Sequence, residues 1–187
     1  MKIIFLITCL SISIFLNAQK ILKPAVKIPI SKIESTIKNG NYSFSSKITE
    51  KELQGSYEVF LDKVSFSDTP ILLDSKYIVD KGSFHKGYKT GLLKTTYKGK
   101  LVKTENWNNG LILGKYKVYD TDGNILYQTS FGSKGISKYK DYYYKTGVLK
   151  EEGTYENGKK QGEWCDYDKK GMLKKTIKYI DGEEVSK

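Results

Sequence analysis

The chain has 187 residues, a hydrophobic content of 39% and a formal net charge of +11 at pH 7. This length suits one domain plus a targeting segment. All 32 basic residues are lysines, so the chain lacks arginine, the residue that grips phosphate and guanine edges with paired hydrogen bonds. Nucleic acid is therefore disfavoured as a partner. The single histidine, His85, excludes a histidine dyad or a multi-histidine metal site within one chain.

The positive charge has two interpretations. Lysines attract anionic lipid or polysaccharide, and they also keep sheet surfaces soluble and stop sheet edges from pairing with other chains. Their even spread along the chain favours the second interpretation. The composition includes 15 tyrosines and only 3 prolines, which favours short β-strands and tight turns over helices.

Residues 1–19 have the pattern of a secretory signal peptide that is removed near Ala18. Lys2 supplies the positive start, and the apolar run 3–16 is shorter than the ~20 residues that span a membrane as a helix. Cys9 lies in the middle of that run rather than at its end, which disfavours a lipid anchor. The sequence therefore predicts an exported chain (periplasmic, cell-surface or extracellular) without a transmembrane segment after cleavage.

The end of this segment, Asn17-Ala18-Gln19, resembles signal peptides of the Bacteroidetes type, in which glutamine often opens the mature protein. Cleavage leaves Cys165 as the one remaining thiol, so no internal disulfide is predicted.

Residues 20–38 are basic, contain Pro24 and Pro29, and show no sustained period. This stretch is interpreted as a linker or poorly ordered arm, with one short element near 33–37.

Turn signals begin at Asn39-Gly40. From there, residues 39–98 are interpreted as degenerate copies of a β-hairpin unit whose spacing slips. The apolar segments 71–73 and 77–79 are predicted strands within it.

Residues 99–187 contain an internal repeat with a period of 24 residues. A glycine marks each copy, followed by an aliphatic residue two positions later and an aromatic residue eight positions later. A tyrosine stands twenty positions after the glycine in every complete copy. Such a period is typical of array architectures. The repeated positions are Gly99, Gly123, Gly147 and Gly171; Leu101, Ile125, Leu149 and Leu173; Trp107, Phe131, Tyr155 and Tyr179; and Tyr119, Tyr143 and Tyr167.

One copy, residues 147–170, predicts two strands joined by turns. Gly147 supplies the positive φ of the first turn, and Asn157-Gly158 is a strong signal for a type I′ hairpin turn. Adjacent hairpins are expected to pair edge to edge, so that equal positions stack into an aromatic ladder and an aliphatic ladder. The predicted fold is all-β: an elongated antiparallel β-meander built from 24-residue β-hairpin repeats, ending in a short C-terminal cap.

The second complete copy departs from the pattern. Residues 133–135 replace the Asn-Gly pair, and Lys138 stands where the other copies have Gly114 and Gly162. An altered turn is predicted there.

A motif at the C-terminal end is carried by Gly162, Glu163, Trp164, Tyr167, Gly171, Leu173, Tyr179 and Gly182. It resembles the MORN-repeat variant of bacterial proteins, which are often labelled antitoxin-like (the YwqK type). The resemblance covers 99–182 well and 39–98 faintly. It implies a β-hairpin array that serves as a binding or scaffolding surface, and eukaryotic relatives are linked to membrane lipids.

The densest aromatic and basic cluster is the candidate binding site, and its members are Lys138, Tyr139, Lys140, Tyr142 and Tyr144. Tyrosines beside lysines suit contacts with sugars or with an acidic partner surface. The alternative is a structural role, because the neighbouring Tyr143 is itself a repeat position.

No catalytic, metal or cofactor site is predicted. Cys165 occupies an ordinary strand position facing away from Trp164, with no base marked by spacing. The predicted function is an exported, non-enzymatic repeat protein that acts as a protein–protein or envelope binding scaffold. One alternative is an antitoxin- or immunity-like binder of an exported effector. A second is lysine-mediated association with anionic lipid or polysaccharide.

Overall fold

The computed structural model describes residues 24–61 and 77–185. The predicted signal peptide, with Cys9 and Ala18, and the strand predicted at 71–73 lie outside the described residues. The structure is 69% strand and 2% helix. The all-β prediction is therefore confirmed.

Fifteen strands and one short 3₁₀ helix, Ile30–Lys32, lie in the described residues. The strands are β1 Val26–Pro29, β2 Ile33–Lys38, β3 Asn41–Ser46, β4 Gly55–Phe60, β5 Ile78–His85, β6 Tyr88–Tyr97, β7 Lys100–Asn108, β8 Leu111–Ile112, β9 Gly114–Tyr119, β10 Ile125–Phe131, β11 Ser137–Tyr143, β12 Val148–Glu156, β13 Lys159–Tyr167, β14 Leu173–Ile180 and β15 Glu183–Val185.

These strands form three sheets. The large sheet has the order β1-β4-β5-β6-β7-β9-β10, with β8 paired to β7; the small sheet runs β11 to β15 in sequence; β2 and β3 form a separate hairpin. Among the described strands, the pairing of β1 with β4 is parallel and the other pairs are antiparallel. Neighbouring hairpins thus pair edge to edge, as the repeat predicts.

The meander is interrupted between β10 and β11, where no backbone ladder joins these two described strands. The break coincides with the altered connection: Phe131 to Tyr139 spans eight positions, whereas Trp107 to Tyr116 spans nine. Side chains join the strands instead. Thr129 Oγ1 lies 2.6 Å from Ser137 Oγ.

The prediction of a linker or poorly ordered arm at 20–38 is wrong for residues 26–32, which form β1 and the 3₁₀ helix. Residues 26–29 form β1 by pairing in parallel with the edge of β4, from Val26 opposite Tyr57 onward, and Ile28 is buried there. Backbone pairing needs no side-chain period, which is why the sequence pattern did not reveal β1. The short element predicted near 33–37 corresponds to β2.

The hairpin turns have the predicted type I′ geometry. Asn157 and Gly158 have φ values of 50° and 72°, and Asn109 and Gly110 have values of 46° and 85°. Positive φ at both central residues matches the twist of the flanking strands.

The predicted aromatic ladder lies in the core. Phe131 contacts Tyr155 with ring centroids 5.6 Å apart, and Trp164 stands between Tyr155 and Tyr179 at 5.1 and 6.2 Å. Trp107 packs against the same cluster. Edge-to-face pairs of this kind contribute about 0.5–1.5 kcal/mol each beyond burial.

The aliphatic positions of the repeat lie outside the core that holds the aromatic ladder. Ile125 is 50% exposed and Leu173 is 58% exposed, and Leu101 is exposed as well. Each copy contains a β-bulge just after these residues, and one extra residue moves every preceding side chain to the other face. The unpaired residues recur with the period of 24: they are Val102, Leu126, Lys150 and Lys174.

Candidate binding surface

Three of the five predicted binding residues share one face of the small sheet. Lys138, Lys140 and Tyr142 alternate along β11, and alternate residues of a strand point to the same side. Lys140 pairs with Glu152, which pairs with Cys165 on β13. A 3.1 Å ion pair between Lys140 Nζ and Glu152 Oε2 confirms this placement.

The other two predicted binding residues are wrong as surface residues, because Tyr139 and Tyr144 are each only 7% exposed. Tyr139 packs in the core between Tyr116 and Trp164, with ring centroids 5.0 and 5.3 Å away. The shorter connection before β11 moves Tyr139 into the position that Tyr116 and Trp164 occupy in their own copies.

Strand pairing identifies which residues of the irregular copy match the other copies. Gly114 pairs with Phe131, and Ser137 pairs with Tyr155. Ser137, rather than Lys138, therefore stands where the other copies have glycine. The predicted altered turn is confirmed by this one-residue shift.

The same shift corrects the tyrosine series. Tyr119 pairs with Ile125, and Tyr167 pairs with Leu173. In the irregular copy, Leu149 pairs with Tyr142 rather than Tyr143. The hydroxyl of Tyr143 instead donates a 2.8 Å hydrogen bond to the Tyr167 carbonyl, one copy further along the chain.

The three copies that begin at Gly123, Gly147 and Gly171 thus place an aliphatic residue opposite a tyrosine on the face turned away from the core. Directly opposed residues of a strand pair lie on the same side of the sheet. We call the part of this arrangement on the small sheet the tyrosine–lysine face. Its members are Lys138, Lys140, Tyr142, Leu149, Glu152, Cys165, Tyr167 and Leu173.

A polar network crosses the centre of the tyrosine–lysine face. The Tyr167 hydroxyl donates a 2.7 Å hydrogen bond to Glu152 Oε1, while Lys140 binds the other carboxylate oxygen. The bonds from Tyr167 and Lys140 lower the pKa of Glu152. Because the Glu152 carboxylate accepts the hydrogen bond from the Tyr167 hydroxyl, it raises the pKa of Tyr167 to about 12.

A second polar cluster, which the sequence pattern did not reveal, is buried between the large and the small sheet. Lys103 and Glu105 point inward from β7, and Lys103 Nζ lies 3.3 Å from Glu105 Oε1 and 3.8 Å from Asp141 Oδ2. Tyr144 donates a 3.2 Å hydrogen bond to Asp141 Oδ1, and Trp107 Nε1 donates one of 3.2 Å to Glu105 Oε2. We call these residues the junction network.

The charges in the junction network stabilise one another. Burial disfavours the Lys103 ammonium, but Asp141 and Glu105 outweigh it and hold the pKa of Lys103 well above its ordinary value. Burial likewise opposes ionisation of Glu105, whose pKa is nevertheless lowered by Lys103. The sequence does contain a signal for this cluster. Lys103 and Glu105 are two positions apart on a strand, so both charges lie on the same side of the sheet.

A small cavity of ≈ 50 Å³ lies under the β2–β3 hairpin. The hairpin crosses the ends of the repeat turns, and Phe44 N donates a 2.8 Å hydrogen bond to the Gly87 carbonyl. Lys89 Nζ lies over the Trp107 ring at 5.0 Å. The lining includes Tyr42, Phe44, Lys89, Trp107, Tyr155 and Lys160.

In the described parts of the chain, no group of three or more His, Cys, Asp or Glu residues is placed to hold a metal ion. His85 is exposed, with Nδ1 3.3 Å from Gln54 Nε2. Cys165 is a free thiol 3.8 Å from Thr176 Oγ1. Within residues 24–61 and 77–185, no helix is long and apolar enough to cross a membrane.

Comparison of the sequence with protein-family models and with curated proteins gives no match. The resemblance to the MORN-repeat variant stays a prediction.

Proposed function

We propose that the protein is an exported, non-enzymatic scaffold that binds a partner protein through the tyrosine–lysine face. One observation carries the proposal: the repeat directs its aliphatic positions outward instead of into the core. Ile125 and Leu173 are at least half exposed, and each lies opposite a tyrosine. A bulge that exposes apolar side chains in successive copies indicates a contact surface, because exposed apolar groups do not improve solubility.

The chemistry of this face suits a protein partner. Tyrosine is enriched at the centre of protein interfaces, whereas lysine is depleted there and common at the rim. Tyr142, Leu149, Tyr167 and Leu173 supply the apolar part of the face, and Lys138 lies on the same side of the sheet. Export rests on the pattern of residues 1–19. An exported effector is one class of partner that such a face accommodates, which is the antitoxin- or immunity-like alternative.

The thiol of Cys165 offers a direct test because it lies on the proposed face. The exported protein, labelled at Cys165 with a photoactivatable cross-linker, is added to envelope fractions of its native cells. We expect a discrete protein adduct that is lost in Leu173→Asp. Ile48→Asp is the matched control, since Ile48 is 67% exposed in the connection after β3, and it is expected to keep the adduct. Equal labelling in both variants, or no adduct in the unmodified chain, contradicts the proposal.

A second candidate function, association with anionic lipid or polysaccharide, is supported by a row of lysines on the large sheet. Cross-strand pairing aligns Lys81 with Lys94, Lys94 with Thr104, and Thr104 with Lys117. Glu58 is the acidic member of this row and forms a 2.7 Å ion pair with Lys81.

Vesicle sedimentation tests this second function. Binding to vesicles rich in anionic lipid is expected to fall at high salt and in Lys94→Glu, while Lys47→Glu in the loop after β3 leaves it unchanged. Binding that resists salt, or equal losses in both variants, contradicts it.

A further inference from the structure

The junction network brings an amine, two carboxyl groups and a phenol together in a buried space. The side chains of Lys103, Glu105 and Asp141 are 14%, 7% and 6% exposed. Lys103 and Glu105 come from the large sheet and Asp141 comes from the small sheet. Burying an ammonium group beside two carboxylates carries a desolvation cost. An ion pair at the surface would avoid that cost, so the burial of Lys103 indicates a role beyond a simple ion pair.

The geometry assigns a separate chemical role to each group. Lys103 Nζ is the nucleophile and lies 3.8 Å from Asp141 Oδ2, an oxygen bonded to the carbon that it attacks. Glu105 Oε1, 3.3 Å from Nζ, is the base that accepts its proton. The Tyr144 hydroxyl, bonded to Asp141 Oδ1 at 3.2 Å, stabilises negative charge as it develops on that oxygen.

We propose that Lys103 and Asp141 condense in the folded protein to form an isopeptide bond that joins the two sheets. Glu105 takes one proton from the ammonium, and the resulting amine attacks Cγ of Asp141. The Cγ–Oδ2 bond then breaks. Two of the three ammonium protons leave with Oδ2 as water, one of them through Glu105, and the third stays on the amide nitrogen. Glu105 ends as the carboxylate it began as, and no oxidant or reductant is required.

The surroundings of the network exclude water but do not remove the attraction between its charges. Burial opposes the charged forms of Lys103 and Glu105, yet their neighbours favour the ion pair, so the neutral amine forms only transiently and the reaction is slow. The walls are aromatic: Tyr116, Tyr139 and Trp107 surround the network. Water, which would solvate the ammonium and compete in the reverse reaction, has little access. One turnover per molecule is sufficient, so a slow reaction completes.

The bond bridges the break between β10 and β11. β10 and β11 share no backbone ladder, and the amide would link β7 directly to β11 across that break. The described chain contains a single free cysteine, Cys165, so a disulfide cannot serve this purpose within it. A covalent link between residues 103 and 141 restricts the unfolded chain in the way a disulfide does.

A second lysine makes the assignment specific. Lys150 Nζ lies 3.9 Å from the same Asp141 oxygen, but its side chain is 47% exposed. Water reaches this amine, so it lacks the dry surroundings that the condensation needs. The link is accordingly assigned to Lys103.

Mass spectrometry of the denatured, exported full chain tests the proposal. We expect the intact mass to be lower by one water molecule than that of Glu105→Gln prepared in the same host, after allowing for the substitution itself. Protease digestion is expected to yield a branched peptide that joins Lys103 to Asp141. Peptide mapping also separates this product from loss of ammonia at an N-terminal glutamine. A full-mass wild-type chain, or a branch through Lys150, overturns the proposal.

Two further variants locate the chemistry. Lys103→Met removes the nucleophile and is expected to keep the full mass, whereas Lys150→Met is the matched control and is expected to form the link. The wild-type measurement alone decides the matter if a core variant fails to fold. A mass loss that persists in Lys103→Met also contradicts the assignment.

Discussion

The inward and outward rows of the repeat follow the same 24-residue period but have opposite environments. The aromatic row, with Phe131 and Tyr179, is buried and packed around Trp164, whereas the aliphatic row, with Ile125 and Leu173, is exposed. A bulge between the two positions in every copy separates them. Regular spacing therefore marks a repeat without showing which of its positions holds the fold together. Substitutions at matched inward and outward sites measure that difference.

The largest effect is expected for Trp164→Ala. Its ring is 2% exposed, Nε1 donates a 3.2 Å hydrogen bond to the Thr154 carbonyl, and the side chain contacts aromatic residues from neighbouring strands. Loss of a buried aromatic side chain costs about 3–5 kcal/mol. Leu173→Ala on the outward row is expected to cost less than about 0.5 kcal/mol. Urea unfolding of both variants checks the contrast, and similar losses in the two would refute it.

Gly153→Ala is expected to come second. A methyl group at Gly153 would lie 2.3 Å from the Trp164 ring, so the indole must shift. Overpacking of a core costs about 1–3 kcal/mol. Gly132→Ala is the control because nothing lies within 4 Å of its added methyl group, and a change below about 0.5 kcal/mol is expected. Equal unfolding midpoints in urea for Gly153→Ala and Gly132→Ala would contradict the close contact between Trp164 and Gly153.

The difference between the buried contact of Trp164 with Gly153 and the exposed Leu173 also shows which features the sequence could predict. The period, the Asn-Gly turns and the all-β class were readable because each depends on local residue types. The direction of the aliphatic row was not, since at Lys150 and Lys174 the bulged residue is polar and gives no pattern of its own.

The candidate site was predicted only in part, for a related reason. Lys138, Lys140 and Tyr142 do share a face, but a connection shortened by one residue turned Tyr139 inward. The junction network depends on contact between β7 and β11, which are distant in sequence, and on the inward direction of Asp141. Parallel pairing of β1 with β4 was equally hidden, because it involves backbone groups that any residue possesses.

A smaller effect is expected at a turn, outside both rows. Asn157 has φ of 50°, a conformation that costs most non-glycine residues about 1–2 kcal/mol and that asparagine tolerates better. Asn157→Ala is therefore expected to destabilise by about 1 kcal/mol. Glu156→Ala, at the preceding exposed position, is the control. Thermal unfolding that does not distinguish the two would contradict the type I′ assignment.

The smallest effect concerns ionisation on the outward face. The pKa of Glu152 is lowered by the hydrogen bond from Tyr167, so its contribution to stability is present above the unfolded value of 4.5 and is lost as the pH falls through the folded value. Tyr167→Phe is expected to raise the pKa of Glu152 while changing stability only slightly, because both groups are solvated. Carboxyl titration by NMR checks this, and an unchanged Glu152 titration would exclude the bond.

Hydroxyl-radical footprinting of the free, exported protein tests the separation of the two rows most directly. Trp164 is intrinsically far more reactive than leucine, yet it is 2% exposed whereas Leu173 is 58% exposed. We expect Leu173 and Ile125 to be oxidised while Trp164 and Phe131 stay protected until the chain is unfolded in urea. Oxidation of Trp164 in the native protein together with protection of Leu173 would reverse the two faces and contradict the account.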